Sequence, residues 1–177
     1  MDGLLEARRE GRAPGAHATD DAPMFDLIEL FFFAYRDFVG DADRLLERMD
    51  FGRAHHRVLH FVNRRKGLTI AELLDILRIT KQSLSRVLKE LIDEGYVEQR
   101  AGAADRRQRQ LFPTADGRAL ALELAALQSR RFERALARLP EDARENAIEF
   151  LLAVVDPSER RDIAAIVRGG GEAEAPR

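Results

Sequence analysis

The stretch that most constrains this chain is residues 80–112, a single amphipathic helix with a charged hairpin directly behind it. Thr80 is a good N-cap, because its hydroxyl can accept from an amide that the first turn leaves free. Gly95 supplies the stop at the other end. Between them Leu84, Val87, Leu88, Leu91 and Ile92 recur at helical spacing and predict one buried face. The outward positions are Lys81, Gln82, Ser83, Ser85, Arg86 and Lys89. Two short strands are expected at 96–99 and 110–112, with Pro113 ending the second. The loop between them is polar, contains Gly102, and carries Arg106, Arg107 and Arg109 with Asp105 beside them.

The text upstream and downstream is mostly helical. Thr69-Ile70-Ala71-Glu72 is a capping-box pattern that opens a short helix through about Leu77. A helix at 51–63 ends in the basic turn Arg64-Arg65-Lys66 and Gly67, as the helix dipole prefers. From Met24 to Val39 the apolar positions include Phe25, Ile28, Phe31, Phe32 and Tyr35, and Phe33 and Phe38 widen the stripe past one face. A helix that greasy is buried by more than its own subunit, or sits in an interface. Gly40-Asp41 is expected to kink or interrupt it before Leu45, Leu46 and Met49. After the hairpin, Thr114-Ala115-Asp116-Gly117 starts a long Ala- and Leu-rich helix reaching Leu139. Pro140 starts another to about Val155, and Asp156-Pro157-Ser158 leads into a last short one ending near Arg168. Residues 1–22 and 169–177 lack periodicity and are expected to be flexible tails.

Composition narrows the function classes. The 177 residues are 45% hydrophobic and 34% charged, ample for a core and unlike a disordered or collagen-like chain. Cysteine is absent, so no disulfide, thiolate metal site or thiol switch is available. No apolar run approaches the roughly 18–20 residues of a membrane span, and 1–22 lacks the apolar core of a secretory signal. A cytoplasmic location without membrane association is the expectation. Net charge is −2, yet residues 78–109 hold 8 Lys/Arg against 5 Asp/Glu, a local +3 that leaves −5 on the rest. A basic island on an acidic body suits a protein that meets phosphate at one place. An Arg-rich solvated surface is the alternative reading.

Short helix, tight turn, helix and charged hairpin is the order of a winged helix-turn-helix. The expected fold class is therefore mainly α with a small β-wing. The major groove of B-DNA admits one α-helix whose exposed N-terminal half reaches base edges. Gln can bond adenine bidentately, Arg can bond guanine, and Lys and Ser can hold phosphates or bases. A plain hydrophilic helix face would look the same, so the hairpin decides. Three arginines at its tip repel one another and bury nothing, which makes sense if a phosphate backbone or narrow minor groove draws them in.

These residues resemble the MarR family of bacterial transcriptional regulators over about Met24 to Arg168. The text from Thr80 to Leu91, followed by Asp93-Glu94-Gly95-Tyr96-Val97, is similar to the family's recognition helix and first wing strand. Asp105-Arg106-Arg107 resembles the Asp-x-Arg wing motif, which puts the minor-groove arginine at Arg107. Thr114-x-x-Gly117 resembles the wing exit that begins the long dimerisation helix. Phe112-Pro113 departs from the leucine usual before that threonine. Within the family the chain looks closest to the PetP-like branch. The resemblance implies a homodimer on a pseudo-palindromic double-stranded DNA operator. It divides the chain into an N-terminal dimerisation helix (24–50), a winged helix-turn-helix domain (51–113) and C-terminal dimerisation helices (114–168). Leu120, Leu124, Leu127, Phe132, Leu136, Ile148, Leu151 and Leu152 are the candidate partner surface, with intrasubunit core as the competing assignment.

His55, His56 and His60 share the second helix, and His56 and His60 are i, i+4 on one face. That spacing can share a metal, but the glutamate of His-Glu-x-x-His is missing, and satisfied polar or interface histidines are the expectation. No metal or other cofactor is expected. The family places a pocket for small acidic or phenolic effectors between the dimer helices and the DNA-binding lobe. Arg36, His55, His56 and His60 are the candidate effector contacts by region, since each can hold a carboxylate or phenolate. No nucleophile–base pair, phosphate-cradling glycine loop or paired acid motif suggests an enzyme. The rival function is a helical metal-sensing or protein-interaction module that has lost DNA reading.

Overall fold

Three threonines start three helices in the same way. In the computed structural model, which describes residues 22–102 and 108–169, Thr69 Oγ1 accepts from the Glu72 amide at 3.3 Å. Thr80 Oγ1 accepts from the Ser83 amide at 3.1 Å, and Thr114 Oγ1 from the Gly117 amide at 3.0 Å. Each bond satisfies an amide that the first turn cannot pair internally. At Thr69 the capping box closes, because the Glu72 carboxylate accepts from the Thr69 amide and hydroxyl, both at 2.8 Å. Those two bonds hold the Glu72 carboxyl below its usual range.

The helices are α1 (Phe25–Leu46), α2 (Arg53–Arg64), α3 (Ile70–Leu77), α4 (Lys81–Asp93), α5 (Ala115–Leu136), α6 (Ala143–Val154) and α7 (Arg160–Gly169). The strands are β1 (Leu68–Thr69), β2 (Val97–Ala101) and β3 (Arg109–Pro113), in one antiparallel sheet of order β1-β3-β2. The mainly helical architecture with a β-wing is as the sequence implies. The strand β1 is an addition. Leu68 pairs with Leu111 and Thr69 with Gln110, and a two-residue strand leaves no periodicity to detect. The wing hairpin pairs Val97 with Pro113 through Ala101 with Arg109. Pro113 is tolerated there because β1 reaches only Leu111 and Gln110, so the proline's missing N–H breaks no ladder bond on that side.

The core lies where α2, α3, α4 and the start of α5 meet the sheet. Leu46, Val58, Val62, Leu73, Leu84, Leu91, Leu111 and Leu124 are all fully buried, and each such side chain contributes about 1.5–3 kcal/mol. The helix α1 does not break at Gly40. It runs through to Leu46 because Ala42 and Leu46 join this core with Leu45 packed against it, which outweighs the roughly 0.5–1 kcal/mol that a helical glycine costs. Its N-terminal half is bare. Phe25, Leu30, Phe31, Phe32 and Phe33 are each more than half exposed.

Other boundaries shift by a turn. The segment expected to open α6 at Pro140 forms a turn instead, with the Ala143 amide on the Pro140 carbonyl at 3.0 Å. Before α7, Asp156 accepts from the Ser158 amide at 2.8 Å and the Ser158 hydroxyl at 2.5 Å. Of the candidate partner surface, Leu120 and Leu124 belong to the subunit's own core, while Phe132, Ile148 and Leu151 are exposed and Leu127, Leu136 and Leu152 half-buried. Of the tails expected at 1–22 and 169–177, residues 1–21 and 170–177 lie outside the described residues, and Gly169 is instead the last residue of α7.

Candidate nucleic-acid interface

Helix α4 is seated on the core by Leu84, Val87, Leu88 and Leu91, none more than 3% exposed. That fixes the opposite side of the helix outward. Lys81, Gln82, Ser83, Ser85, Arg86 and Lys89 are all exposed, so the six residues singled out from the sequence share one solvent face. They are not equivalent. The Ser83 Oγ accepts from the Thr80 hydroxyl at 2.9 Å, which leaves its own O–H to donate outward. The Lys89 ammonium pairs with Asp93 one turn on, and that hydrogen bond pushes its pKa up.

The wing stands beside this helix. Lys81 and Arg109 line one open cleft of about 680 Å³, together with Gly67, Glu72, Gln108 and Gln110. The short strand β1 makes that cleft, since it ties the entry to α3 onto the wing strand β3. Gln108 and Gln110 are therefore additional candidates for polar contact that the sequence pattern did not mark. Arg106 and Arg107 lie outside the described residues, as does Asp105. At the root of the wing the Arg100 guanidinium lies 4.5 Å over the Phe112 ring.

Two joints hold helix and wing in register. The α3–α4 turn is built on Arg78, whose backbone is left-handed at φ 52° and whose amide donates to the Leu74 carbonyl at 2.9 Å. Arg57 of α2 donates to the Leu77 carbonyl at 2.9 Å, and Arg78 pairs with Glu159 beside α7. At the other end α4 stops on Gly95, where φ is +76°, the left-handed cap glycine adopts most easily. The Thr114 hydroxyl donates to the Gly95 carbonyl at 2.6 Å, and the Thr114 amide to the Tyr96 carbonyl at 3.1 Å. The Thr114-x-x-Gly117 pattern now has a physical cause, because a Cβ at Gly117 would lie 1.9 Å from the Tyr96 oxygen.

The histidines of α2 part company. His55 is buried, accepts from the Gly52 amide through Nδ1 at 3.0 Å, and meets Glu90 Oε2 through Nε2 at 2.6 Å. His56 is also buried, and desolvation holds its pKa below the usual imidazole value against a weaker pull from Asp43. His60 is held low by burial first and by His56 and Arg64 next. His60 lines a cavity of about 350 Å³ with Phe61, Arg64, Arg65, Ala125, Ile166 and Val167. Arg36 is elsewhere, on the bare half of α1, bonded to Asp37 at 2.9 Å and 4.9 Å over the Phe33 ring. Among the described residues no group of three or more His, Asp or Glu is arranged to hold a metal. No helix there is long and apolar enough to cross a membrane.

Residues 49–108 match a family model described as MarR family. The chain is 47% identical over 134 residues to the HTH-type transcriptional regulator PetP of Rhodobacter capsulatus, covering 76% of this chain and 81% of that protein. Among solved structures, S. aureus MepR in its DNA-binding conformation superposes with a TM-score of 0.63 at 20% identity, over 73% of this chain and 96% of MepR. The reduced form of E. coli MarR gives a TM-score of 0.58 at 22% identity, over 76% and 98%. Both superpositions show a shared fold.

Proposed function

This chain belongs to the MarR family of winged helix-turn-helix transcriptional regulators, and from that premise we propose that it is a homodimeric, sequence-specific DNA-binding regulator. The observation that carries the reading is the solvent face of α4, where Gln82 and Arg86 stand exposed on the helix whose Lys81 shares a cleft with Arg109 of the wing. Such a helix enters the major groove with Gln82 and Arg86 toward base edges, Lys81, Ser83, Ser85 and Lys89 toward bases or phosphates. The wing, with Arg109 and the arginines 106 and 107 beyond it, meets the backbone or the minor groove. Residues 51–113 are the reading unit, and 24–50 with 114–168 join two subunits. Two such units on a two-fold axis read half-sites about 10 bp apart. The protein acts by occupancy and carries out no reaction of its own.

The cavity under α7 supports effector control. Its lining is apolar at Phe61, Ala125, Ile166 and Val167 and cationic at Arg64 and Arg65, with His60 among them. A volume of about 350 Å³ lies within the usual small-ligand range. A small aromatic carboxylate fits that combination, its ring against the apolar side chains and its charge at the guanidinium groups. Of the residues picked out from the sequence, His60 is the direct contact in this reading.

Fluorescence-anisotropy titration on a duplex selected from random sequence, beside a scrambled one, tests the function. Gln82→Ala or Arg86→Ala is expected to cost about 1–3 kcal/mol on the selected duplex and to relax preference. Arg107→Ala is expected to weaken binding to both duplexes and to reduce the salt slope by about one. An Arg107→Ala protein with unchanged affinity and slope would remove the wing from the interface. Repeating the titration with small aromatic carboxylates is expected to shift the curve for wild type and not for Arg64→Ala. An identical shift in both excludes the cavity as the effector site.

A further inference from the structure

We infer that His55 is a positioning residue for DNA reading, restraining the rotation of α4 through Glu90. The inference rests on the DNA-binding function proposed above.

The ring's proton is placed by its neighbours. The Gly52 amide donates to Nδ1 at 3.0 Å, and an N–H cannot accept, so Nδ1 carries the lone pair. A neutral imidazole then has its hydrogen on Nε2, which faces Glu90 Oε2 at 2.6 Å. His55 therefore caps its own helix with one nitrogen and holds α4 with the other. Turning the ring away would cost its stacking on Phe51, at 4.5 Å and 12°, and Phe51 in turn meets the Tyr96 ring edge-on at 5.5 Å.

Leu84, Val87, Leu88 and Leu91 decide which side of α4 faces the core, and the His55 contact adds a directional restraint along the helix, between the caps at its two ends. A hydrogen bond falls off steeply with angle. Glu90 stands one turn beyond Arg86, so the His55 bond narrows the range of angles at which Arg86 and Gln82 leave the helix. The same helix α2 holds α3 through Arg57 and the Leu77 carbonyl. Both limbs of the helix-turn-helix are thus referenced to α2. The 3-10 turn Glu47–Met49 connects α2 to α1.

Two conservative substitutions separate the two nitrogens. Asn at position 55 places an acceptor where Nδ1 was, keeping the cap and losing Glu90. Gln places an amide donor near Nε2, keeping Glu90 and losing the cap. The experiment compares wild type, His55→Asn, His55→Gln and Glu90→Ala by thermal melting and by anisotropy on the selected and scrambled duplexes. Glu90→Ala is expected to melt close to wild type and His55→Asn lower, because it also loses the ring stacked on Phe51. Both are expected to lose about tenfold in the ratio of the two affinities. His55→Gln is expected to melt lower yet keep the ratio within about twofold. Asn and Ala variants that discriminate as well as a discriminating wild type overturn this inference alone. A wild type that prefers no duplex overturns the DNA-binding function and the inference with it.

Discussion

Gly117→Ala is expected to destabilise the subunit by about 3 kcal/mol, the upper end of the usual range for forcing an atom into filled space. A Cβ there falls 1.9 Å from the Tyr96 oxygen and 2.8 Å from its carbonyl carbon. Neither partner can give way cheaply. The Tyr96 carbonyl already accepts from the Thr114 amide at 3.1 Å, and the Gly117 amide donates to Thr114 Oγ1 at 3.0 Å. The same threonine hydroxyl donates to the Gly95 carbonyl at 2.6 Å. Moving α5 away would break three bonds that join the end of α4, the wing exit and the start of α5. For a chain of this length the loss corresponds to a fall of roughly 6–12 °C in melting temperature. Gly95→Ala is the matched control. Its φ of +76° disfavours a side chain, but nothing lies within 4 Å of the added Cβ. That change is expected to cost only the backbone term, about 1–2 kcal/mol. A Gly117→Ala protein that melts within about 2 °C of wild type would show that the close approach is not real.

The parts of this fold that were legible in the sequence are those set by chemistry within one turn. The caps at Thr69, Thr80 and Thr114 are i, i+3 arrangements, complete in four residues, and the structure has all three. The buried face of α4 follows from spacing alone. What spacing cannot reveal is which neighbour an apolar or polar group meets. Leu120 and Leu124 look like Phe132 and Leu151 along the chain, yet the first two touch the reading unit's core and the others face solvent. Gly40 reads as a break until Ala42 and Leu46 are seen at zero exposure on that core. His55, His56 and His60 form one cluster in sequence and three environments in space. His55 meets a carboxylate 35 positions away, and His60 meets α7 from the far end of the chain. Arg36 shares only a region with them, since it lies on α1 against Asp37 and the Phe33 ring.

Phe31→Glu with Phe32→Glu is expected to convert a dimer into a folded monomer. In the subunit alone Phe31 is 51% and Phe32 66% exposed, and Met24, Phe25, Leu27, Ile28, Leu30, Phe33 and Tyr35 share that state. Water does not support so large an apolar surface on a free monomer. The surface is too short and too interrupted by charge to cross a membrane, since no described helix qualifies. A second copy of the chain covers it in the proposed assembly, helped by the exposed Phe132, Ile148 and Leu151. Burying one phenylalanine is worth about 1.5–3 kcal/mol. Two-fold symmetry counts each change twice, so even one effective position per subunit removes roughly 3–6 kcal/mol. That is a loss of about 10²- to 10⁴-fold in dimer affinity. The subunit itself should survive, because the residues that α1 gives to its core, Ala42 and Leu46 with Leu45 against them, lie in the other half of the helix. Light scattering at micromolar concentration should report a dimer for wild type and a monomer for the variant, with matching circular dichroism. Binding to the selected duplex should fall further than binding to a single half-site, because the two reading helices are no longer linked. A wild-type monomer at that concentration, or a variant that remains dimeric, would rule out α1 as the subunit interface.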